Sequence, residues 1–418
     1  MQAKADRRPQ ARSTGRLAFY SGVRIAPRPD GFFVDPSNWK RLQLLLGAFA
    51  DVTLVAVEAA SSGDDWVALP PTINVVLAHA DFNPPGTPPS VKRRLAAACG
   101  IAAVAWRHRG PARAAAAVGV VWLFEPVSLA GLLLAFALRR PLLAAVVGSP
   151  AESFTRRAAR ARSPLSRLAY RAAAPSTAAL ERLMARKAQL LLVAGEGHVD
   201  RMQKGVSFST AVFSESDIRP GGRRQPLGST VTWAYAGTLS YSKGVHVLIE
   251  ALALARASGR DHRAVLVGGS DPAFPLDDLL ARHGVAHAVT VLGRLPWTEA
   301  LDAVGHADVF VFLSEHEGMP KAPLEAMAVG VPVVVTPTGA EQYVVDGVNG
   351  LLVPTGDAAA CAAAVQRLVE DDDARTRLAA AGVRTATDHT FEASVRRVHE
   401  QVSTAFPALV GGTRWDRP

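Results

Sequence analysis

The sequence predicts an α/β protein of two doubly wound domains, each built on a parallel sheet covered by helices. Three observations lead to this fold class. The chain has 418 residues, which is roughly two to three times the size of a typical domain. Short runs of Val, Leu, Ile and Ala recur along it, and each is followed by a stretch of helical periodicity. These runs do not alternate with polar residues, which is typical of parallel strands buried on both faces.

The predicted strands form two series. Those of the first half are RLAFYSG, DVTLVAVE, INVVLA, VVWLFE, LLAAVVG and QLLLVAG, and those of the second half are VTWAYAG, AVLVGG, VTVLG, DVFVFLS, VPVVVTP and GLLVP. The clearest helix follows VTWAYAG, where apolar residues spaced i, i+3, i+4 and i+7 mark one face: Val245, Leu248, Ile249 and Leu252. The long apolar run at 114–138 is interrupted by Glu125 and Pro126, so it predicts a strand and then an apolar helix, not a membrane span.

A polar segment rich in Gly and Pro, without periodicity, separates the two series and is the predicted linker. The expected organisation is a disordered basic tail at 1–15, an N-terminal Rossmann-like domain at 16–214, the linker at 215–230, a C-terminal Rossmann-like domain at 231–389, and a last helix with its tail at 390–418. We expect the last helix to pack back on the N-terminal domain. We also expect the carboxyl ends of both parallel sheets to face a central cleft, where open α/β sheets bind ligands.

Charge is distributed unevenly along the chain. The net charge is +9, but residues 1–215 carry 28 Lys and Arg against 14 Asp and Glu, whereas the remaining residues carry 18 against 23. A basic N-terminal half is typical of a protein that meets an anionic substrate or an anionic membrane surface, and a plain solvated face is the alternative. Its arginines lie on helical stretches without interleaved aromatic residues, which argues against nucleic acid as a partner.

The first residues and the cysteines indicate the compartment. The segment MQAKADRRPQARSTG is basic and lacks the apolar core of a secretory signal, so we expect a cytoplasmic protein, with peripheral binding to the inner face of the membrane as a further option. The two cysteines, Cys99 and Cys361, are far apart and have no second ligand at a metal-binding spacing. This fits a reducing compartment and argues against zinc or iron–sulfur chemistry.

The strongest motif is SEHEGMPKAPLEAMAVGVPVVVTPTG, residues 314–339. It places Glu317 on a loop between a strand and a helix, and Glu325 about one turn into that helix. A carboxylate is a good acceptor for the two hydroxyls of a ribose, and loop amides at a helix N-terminus donate to hydroxyl or phosphate oxygens. The motif therefore predicts two carboxylates that address different parts of one ligand. The alternative is that both are ordinary acids of a helix start and a helix surface.

A second motif, WAYAGTLSYSKGVHVLIEALALA, lies at residues 233–255. A strand leads through a turn at Gly237 to Lys243 and Gly244, and a helix follows. A cation beside a helix N-terminus suits a diphosphate. The segment matches neither the P-loop nor the GxGxxG pattern, so by itself it is weak evidence.

The two motifs, in which Glu317 lies 74 positions after Lys243, resemble the retaining nucleotide-sugar glycosyltransferases of family 4, also called group 1, which have the GT-B fold. The resemblance extends through LGRLPWTEALDAVGHADVFVFLS to DGVNGLLVPTGD. It implies that Glu317 contacts the donor sugar near its C3 and C4 hydroxyls, that Glu325 binds the nucleotide ribose, and that Lys243 binds the diphosphate. Glu317 and Lys243 are then the catalytic candidates. The other implied donor-binding residues are Gly237, Thr238, Gly293, Arg294, Gly318, Met319, Pro320 and Lys321.

Some positions depart from the family pattern. The family usually has an Arg as a second diphosphate ligand where this chain has Thr238, which leaves Lys243 and helix amides to neutralise the phosphates. A loop that often contains Glu before its Asp-Gly here has Gln342 next to Glu341. In the first half, where many members carry His or Asp, this chain offers Gly148, Ser149 and Glu152.

Candidates on the acceptor side are Gly22, Ser149 and Glu152. Gly22 lies in residues 20–42, where the family has a glycine-containing loop after the first strand. In the same segment either Phe32 or Trp39 is a candidate for stacking on a sugar. The alternative is a turn glycine and two packed aromatic rings. His79 and His198 are candidate bases, although a lone His more often makes a structural hydrogen bond.

The resemblance implies transfer of a glycosyl unit, with retention, from a nucleotide-diphosphate sugar to a saccharide, lipid-linked or small-molecule acceptor. Stabilisation of the leaving diphosphate by Lys243 and amides needs no metal, and the donor region has no Asp-x-Asp motif, so we expect no metal and no cofactor. The alternatives are a nucleotide-sugar epimerase on the same fold or an inactive binding or scaffold protein. A ratio of 39 Arg to 7 Lys is typical of a bacterium with a GC-rich genome, where polysaccharide or glycolipid assembly is a plausible role.

Overall fold

In the computed structural model, the chain forms two compact units. The N-terminal unit comprises Met1–Val193, His198–Ser207 and Val395–Pro418, and the C-terminal unit comprises Ala194–Gly197 and Phe208–Ser394. The structure describes residues 16–59, 63, 66–78, 101, 103–122, 126–146, 154–155, 158, 163–194, 205–208, 213–219 and 227–410.

The N-terminal unit is built on a parallel sheet. The strands of its sheet are β1 (Arg16–Arg28), β2 (Gly31–Val34), β3 (Asp51–Glu58), β4 (Val67–Ala68), β5 (Ile73–Ala78), β6 (Ala117–Trp122), β7 (Leu142–Val146), β8 (Leu190–Ala194) and β9 (Val206–Phe208). The helices of this part of the chain are α1 (Pro36–Leu46), α2 (Arg109–Ala114), α3 (Pro126–Ala137) and α4 (Pro164–Lys187). Parallel pairing runs in the order β5-β3-β1-β6-β7-β8. The apolar helix predicted after residue 125 is α3, which packs against β1 and β6.

The segment after the first predicted strand differs from the expected loop. β1 continues to Arg28, turns at Gly31, and pairs with β2 as an antiparallel hairpin. Gly22 therefore lies within β1, in the irregularity between Tyr20 and Arg24 where the pairing with β3 shifts register. The turn consists of Pro29 and Asp30, between the paired residues Arg28 and Gly31, and Pro and Asp are residues that favour turns. β4 extends this hairpin, and it was not predicted either.

The C-terminal unit is a six-stranded parallel sheet. Its strands are β10 (Thr230–Ala236), β11 (Asp261–Val267), β12 (Val289–Gly293), β13 (Val309–Phe312), β14 (Val333–Val335) and β15 (Leu351–Leu352), and their order is β12-β11-β10-β13-β14-β15. This is the 3-2-1-4-5-6 order of a doubly wound domain. The helices that follow in the chain are α5 (Val245–Ala257), α6 (Leu276–Arg282), α7 (Trp297–Gly305), α8 (Lys321–Ala328), α9 (Ala358–Glu370), α10 (Asp372–Thr387) and α11 (Phe391–Ala405).

The core of the C-terminal unit follows the predicted pattern. All four residues of the predicted helix face on α5 are buried, with at most 1% of their surface exposed: Val245, Leu248, Ile249 and Leu252. The twelve predicted strands all appear in the two sheets, which confirms the two doubly wound units. None of the described helices is both long enough and apolar enough to cross a bilayer.

The end of the described chain belongs to the N-terminal unit from Val395 onward. There the ring of Phe406 lies 6.2 Å from that of Phe49, and Ala50 N donates to Leu409 O at 3.1 Å. Helix α11 thus begins in one unit, where Phe391 N donates to Phe213 O at 2.9 Å, and ends in the other.

Candidate active site

The strand order of the C-terminal unit places the two predicted motifs side by side. β11 and β12 lie on one side of β10, and β13 to β15 lie on the other, so the winding direction reverses between β10 and β13. Lys243 follows β10 and Glu317 follows β13. Because all strands are parallel, both residues lie at the carboxyl edge of the sheet, at the point where doubly wound domains bind ligands.

Lys243 and Glu317 are in direct contact. The Lys243 Nζ donates to Glu317 Oε1, with 31% of the lysine side chain and 16% of the glutamate side chain exposed. Ser314 Oγ, which is fully buried, lies 3.0 Å from the same Oε1 and donates to it. The two residues with separately predicted roles therefore form one partly exposed charge pair.

A tight turn presents Lys243. Residues Tyr241–Lys243 form a single turn of 3-10 helix, and Gly244 then takes a left-handed conformation, with φ of +69°, before α5 begins. A Cβ at Gly244 would overlap the carbonyl oxygen of Leu313 at the end of β13. Glu315 N also donates to Ser242 O at 3.0 Å. The lysine turn is thus fixed against the strand that carries Glu317.

Hydroxyl groups at the end of β14 hold the start of the Glu317 loop. The Ser314 carbonyl accepts hydrogen bonds from Thr336 Oγ1 at 2.6 Å and from Thr338 Oγ1 at 2.8 Å. Both Ser314 and Thr336 are buried. These bonds satisfy a carbonyl that has no strand partner, and they define where Glu317 leaves the sheet.

The backbone of the next loop approaches the Glu317 loop closely. Gly339 has φ of +88°, and a Cβ there would lie 2.7 Å from Gly318 O. Gln342 Nε2 donates to the same oxygen at 2.6 Å. The amide of Gln342 is a donor that an ionised Glu would lack, which gives the glutamine at this position a physical role.

Glu325 lies in the second turn of α8, in a place of low polarity. Trp297 Nε1 donates to its Oε1 at 3.3 Å. Burial raises the pKa of the Glu325 carboxyl, and the hydrogen bond from Trp297 and the charge of Lys321 partly oppose this. The hydrogen bond from Trp297 therefore holds the Glu325 carboxylate in place in the second turn of α8.

Tyr343 fixes the N-terminus of α8. Its hydroxyl, which is buried, donates to Pro320 O at 2.6 Å. Burial, reinforced by the negative charges of Glu317, Glu325 and Glu341, raises the pKa of the Tyr343 hydroxyl well above its usual value. The phenol therefore stays protonated and remains a donor.

Four more predicted donor-binding residues lie at the carboxyl ends of β10 and β12. Gly237 has φ of +152°, and Tyr235 OH donates to Thr238 O at 2.9 Å. Thr238 is exposed. Gly293 has φ of +69°. Arg294 is exposed and passes beside Gly269, because a Cβ added at Gly269 would lie 2.7 Å from the Nε of Arg294.

The remaining predicted residues of this unit belong to the loop before α8 and its first residue. Gly318 and Lys321 are exposed, Met319 is half-buried against the core, and Pro320 is buried as the residue that precedes the helix. The donor-side predictions thus follow strands β10, β12 and β13 of this sheet, and two of them, Lys321 and Glu325, lie within α8.

The acceptor-side predictions have a different outcome. Gly22 lies in β1, Phe32 in β2 and Trp39 in α1, and both aromatic side chains are half-buried. Several other candidates lie outside the described residues: His79, Gly148, Ser149, Glu152 and His198.

Sequence reasoning missed five residues that support the site: Ser314, Thr336 and Thr338 at the Glu317 loop, Trp297 at Glu325, and Tyr343 at the start of α8. The signal in the sequence was the position of these side chains in segments that follow strands of the sheet. Hydroxyl and ring N–H groups there can hydrogen-bond to backbone groups that have no partner in the sheet. Among the described residues, no three His, Cys, Asp or Glu side chains are grouped closely enough to hold a metal ion. Burial raises the pKa of the Cys361 thiol to about 12, so this cysteine is an unreactive part of the core.

The chain is similar in sequence and in fold to known glycosyltransferases. Residues 228–385 match the family described as "Glycosyl transferases group 1". A D-inositol 3-phosphate glycosyltransferase of Corynebacterium diphtheriae is 34% identical over 176 residues, which cover 40% of this chain and 41% of that protein. The lipopolysaccharide core biosynthesis glycosyltransferase LpsE of Rhizobium meliloti is 35% identical over 166 residues, or 40% of this chain and 47% of that protein.

Structural similarity extends further than sequence similarity. The crystal structure of HepE from Anabaena in complex with UDP and glucose superposes with a TM-score of 0.61 at 18% identity, covering 94% of this chain and 100% of that one. At 18% identity this similarity concerns the fold alone. The sequence matches to the C. diphtheriae and R. meliloti proteins span less than half the length of each. The chain has the GT-B fold, and its residues 228–385 match the family of group 1 glycosyltransferases.

Proposed function

We propose that this protein transfers a glycosyl unit, with retention of configuration, from a nucleotide-diphosphate sugar to a saccharide, lipid-linked or small-molecule acceptor, in bacterial polysaccharide or glycolipid assembly in the cytoplasm. The single observation that carries the proposal is the pairing of Lys243 with Glu317 at the switch point of the C-terminal sheet. The Lys243 cation suits the diphosphate of such a donor, and the Glu317 carboxylate beside it suits the hydroxyls of the donor's sugar.

The reaction breaks the bond between the anomeric carbon and the donor phosphate oxygen and forms a bond from that carbon to an acceptor oxygen. Lys243 and the backbone amides before α8 are placed to stabilise the departing nucleoside diphosphate electrostatically, which needs no metal ion. The acceptor proton passes to a phosphate oxygen of the leaving group. Retention follows when the acceptor attacks from the face that the diphosphate leaves.

Glu317 and Glu325 take the donor's hydroxyl groups in this proposal. Each carboxylate accepts a hydrogen bond from a neighbouring side chain, Glu317 from Ser314 and Glu325 from Trp297. A double displacement of the kind that two carboxylates perform in retaining glycosidases is not required. The names of the relatives describe glycosyltransferases, and HepE was crystallised with UDP and glucose; both facts support glycosyl transfer from a nucleotide sugar.

A thermal-shift panel tests donor binding. The purified protein is heated with UDP, GDP, ADP and TDP and with their sugar conjugates, each with and without a chelator. A ligand at one hundred times its Kd stabilises a protein by about 2.7 kcal/mol, which raises Tm by several degrees. We expect one nucleotide to shift Tm in the presence of chelator. A shift that requires a divalent cation would contradict metal independence, and no shift at all would favour an inactive binding or scaffold protein.

Turnover of the donor identified in this way tests the residue roles. We expect Glu317→Gln and Lys243→Met each to reduce transfer at least a hundredfold, because each removes one half of the charged pair, a loss of the size seen when a transition-state donor is deleted. Glu315→Gln is the matched control, since this exposed carboxyl lies two residues away and should leave transfer unchanged. Full activity in Glu317→Gln would refute its assigned role. Conversion of the donor sugar to its epimer without an acceptor would indicate an epimerase.

A further inference from the structure

Helix α4 of the N-terminal unit has one face in the core and one face in solvent. It contains 24 residues and is therefore about 36 Å long at about 1.5 Å per residue. Thr177, Glu181, Met184 and Ala185 lie on its buried face, where Met184 and Ala185 join the core of the sheet. The opposite face is not covered by the rest of the chain that the structure describes.

The exposed face combines positive charge with apolar side chains. Leu168 is 66% exposed and Leu183 is 43% exposed, near opposite ends of the helix. The cationic side chains of the helix are all exposed: Arg167, Arg171, Arg182, Arg186 and Lys187. Its only acidic residue is Glu181, which is buried, so the solvent face carries no carboxylate.

We propose that the exposed face of α4 binds the surface of an anionic lipid bilayer. The arginines would contact lipid phosphates, and Leu168 and Leu183 would enter the boundary between headgroups and acyl chains. This inference goes beyond the proposed function, because it concerns where the protein is held and not which sugar it transfers.

The pattern of the face favours a bilayer over a soluble acidic partner. A helix that lies parallel to an anionic membrane contacts it through cations and through apolar side chains on the same face. Here the two exposed leucines are 15 residues apart, with cations next to each of them. Each Lys or Arg near an anionic leaflet strengthens binding by about 1 kcal/mol, equivalent to about fivefold. Several such cations along one face therefore suffice for measurable binding.

Vesicle co-sedimentation tests the proposal with the full-length protein. One set of vesicles contains phosphatidylcholine only, and the other contains phosphatidylcholine with phosphatidylglycerol. We expect strong binding to the anionic vesicles, weak binding to the neutral ones, and loss of binding at high salt. Equal binding to both, or no binding to either, would overturn the proposal, and the second result would direct the search to a soluble acidic partner.

Two variants locate the contact on α4. The first replaces four exposed cations of the helix, Arg171→Gln, Arg182→Gln, Arg186→Gln and Lys187→Gln, and we expect it to bind anionic vesicles about tenfold or more weakly. The second, Leu168→Gln with Leu183→Gln, keeps the charge and should also weaken binding. Both change exposed positions to a residue of good helix propensity, so folding should be preserved.

The matched control changes net charge equally on the other unit. It replaces four exposed arginines of the C-terminal unit by Gln: Arg282, Arg367, Arg377 and Arg384. We expect this control to bind vesicles like the unmodified protein. An equal loss of binding in the control would show that net charge alone is responsible and would overturn the proposal. Nucleotide-induced thermal shifts should persist in the α4 variants, so failure here is distinguishable from failure of the proposed function.

Discussion

Replacing Gly244 by Ala should destabilise the C-terminal unit and disturb the lysine turn at the same time. Gly244 has φ of +69°, and a Cβ there would overlap the carbonyl oxygen of Leu313. Gly284 is a close match, because its φ is +67° and a Cβ there would meet nothing within 4 Å. Comparing the two Ala variants therefore separates the steric overlap from the left-handed backbone conformation.

The expected magnitudes follow from these two contributions. A left-handed conformation costs a non-glycine residue about 1–2 kcal/mol, and the stiffer unfolded chain of Ala offsets about 0.4–1 kcal/mol of this. Gly284→Ala should therefore lose about 1 kcal/mol. At Gly244 the overlap is with backbone that cannot rotate away, so relieving it should cost about 1–3 kcal/mol more. At roughly 2–4 °C for each kcal/mol, Gly244→Ala should melt about 2–12 °C below Gly284→Ala.

Differential scanning calorimetry of the two variants and the unmodified protein provides the test, and the nucleotide thermal shift is measured on each. We expect Gly244→Ala also to lose the nucleotide shift, since Lys243 precedes the displaced residue. Gly284→Ala should retain it, because Gly284 lies between α6 and β12, away from the charged pair. Equal melting temperatures for the two variants would refute the close approach of the lysine turn to β13.

Two further predictions concern buried polar groups of the site. Burial raises the pKa of Glu325, so the folded protein loses stability as pH rises from the pKa of this carboxyl in the unfolded chain through its raised value in the folded protein. Glu325→Gln removes this loss and should raise Tm at neutral pH. The same variant should weaken donor binding. A Tm that stays unchanged from pH 5 to 8 relative to the unmodified protein would contradict this. Tyr343→Phe leaves the Pro320 carbonyl without its donor and should cost about 1–3 kcal/mol of stability, measured by urea denaturation. A loss below 0.5 kcal/mol would mean that another group satisfies the carbonyl.

The sequence alone predicted much of the fold, because buried parallel strands and amphipathic helices leave strong local patterns. β3, β5 and β12 begin and end at the residues of their predicted runs. The helix face of α5 was predicted residue by residue, since a spacing of 3 and 4 is imposed by the helix itself. The hairpin of β1 and β2 was missed, because Arg and Pro interrupt its apolar residues and its partner strand was not evident from the segment itself.

The candidate site was likewise predicted only in part from the sequence. Lys243, Glu317 and Glu325 were found from local context, since each lies where a strand ends or a helix begins. That Lys243 contacts Glu317, 74 residues later, depends on β10 lying next to β13, and strand order is a property of the whole sheet. The supporting hydrogen bonds depend on tertiary structure for the same reason. Local sequence specifies which chemical groups reach the carboxyl edge, whereas long-range packing determines which of them meet and how far each is removed from water.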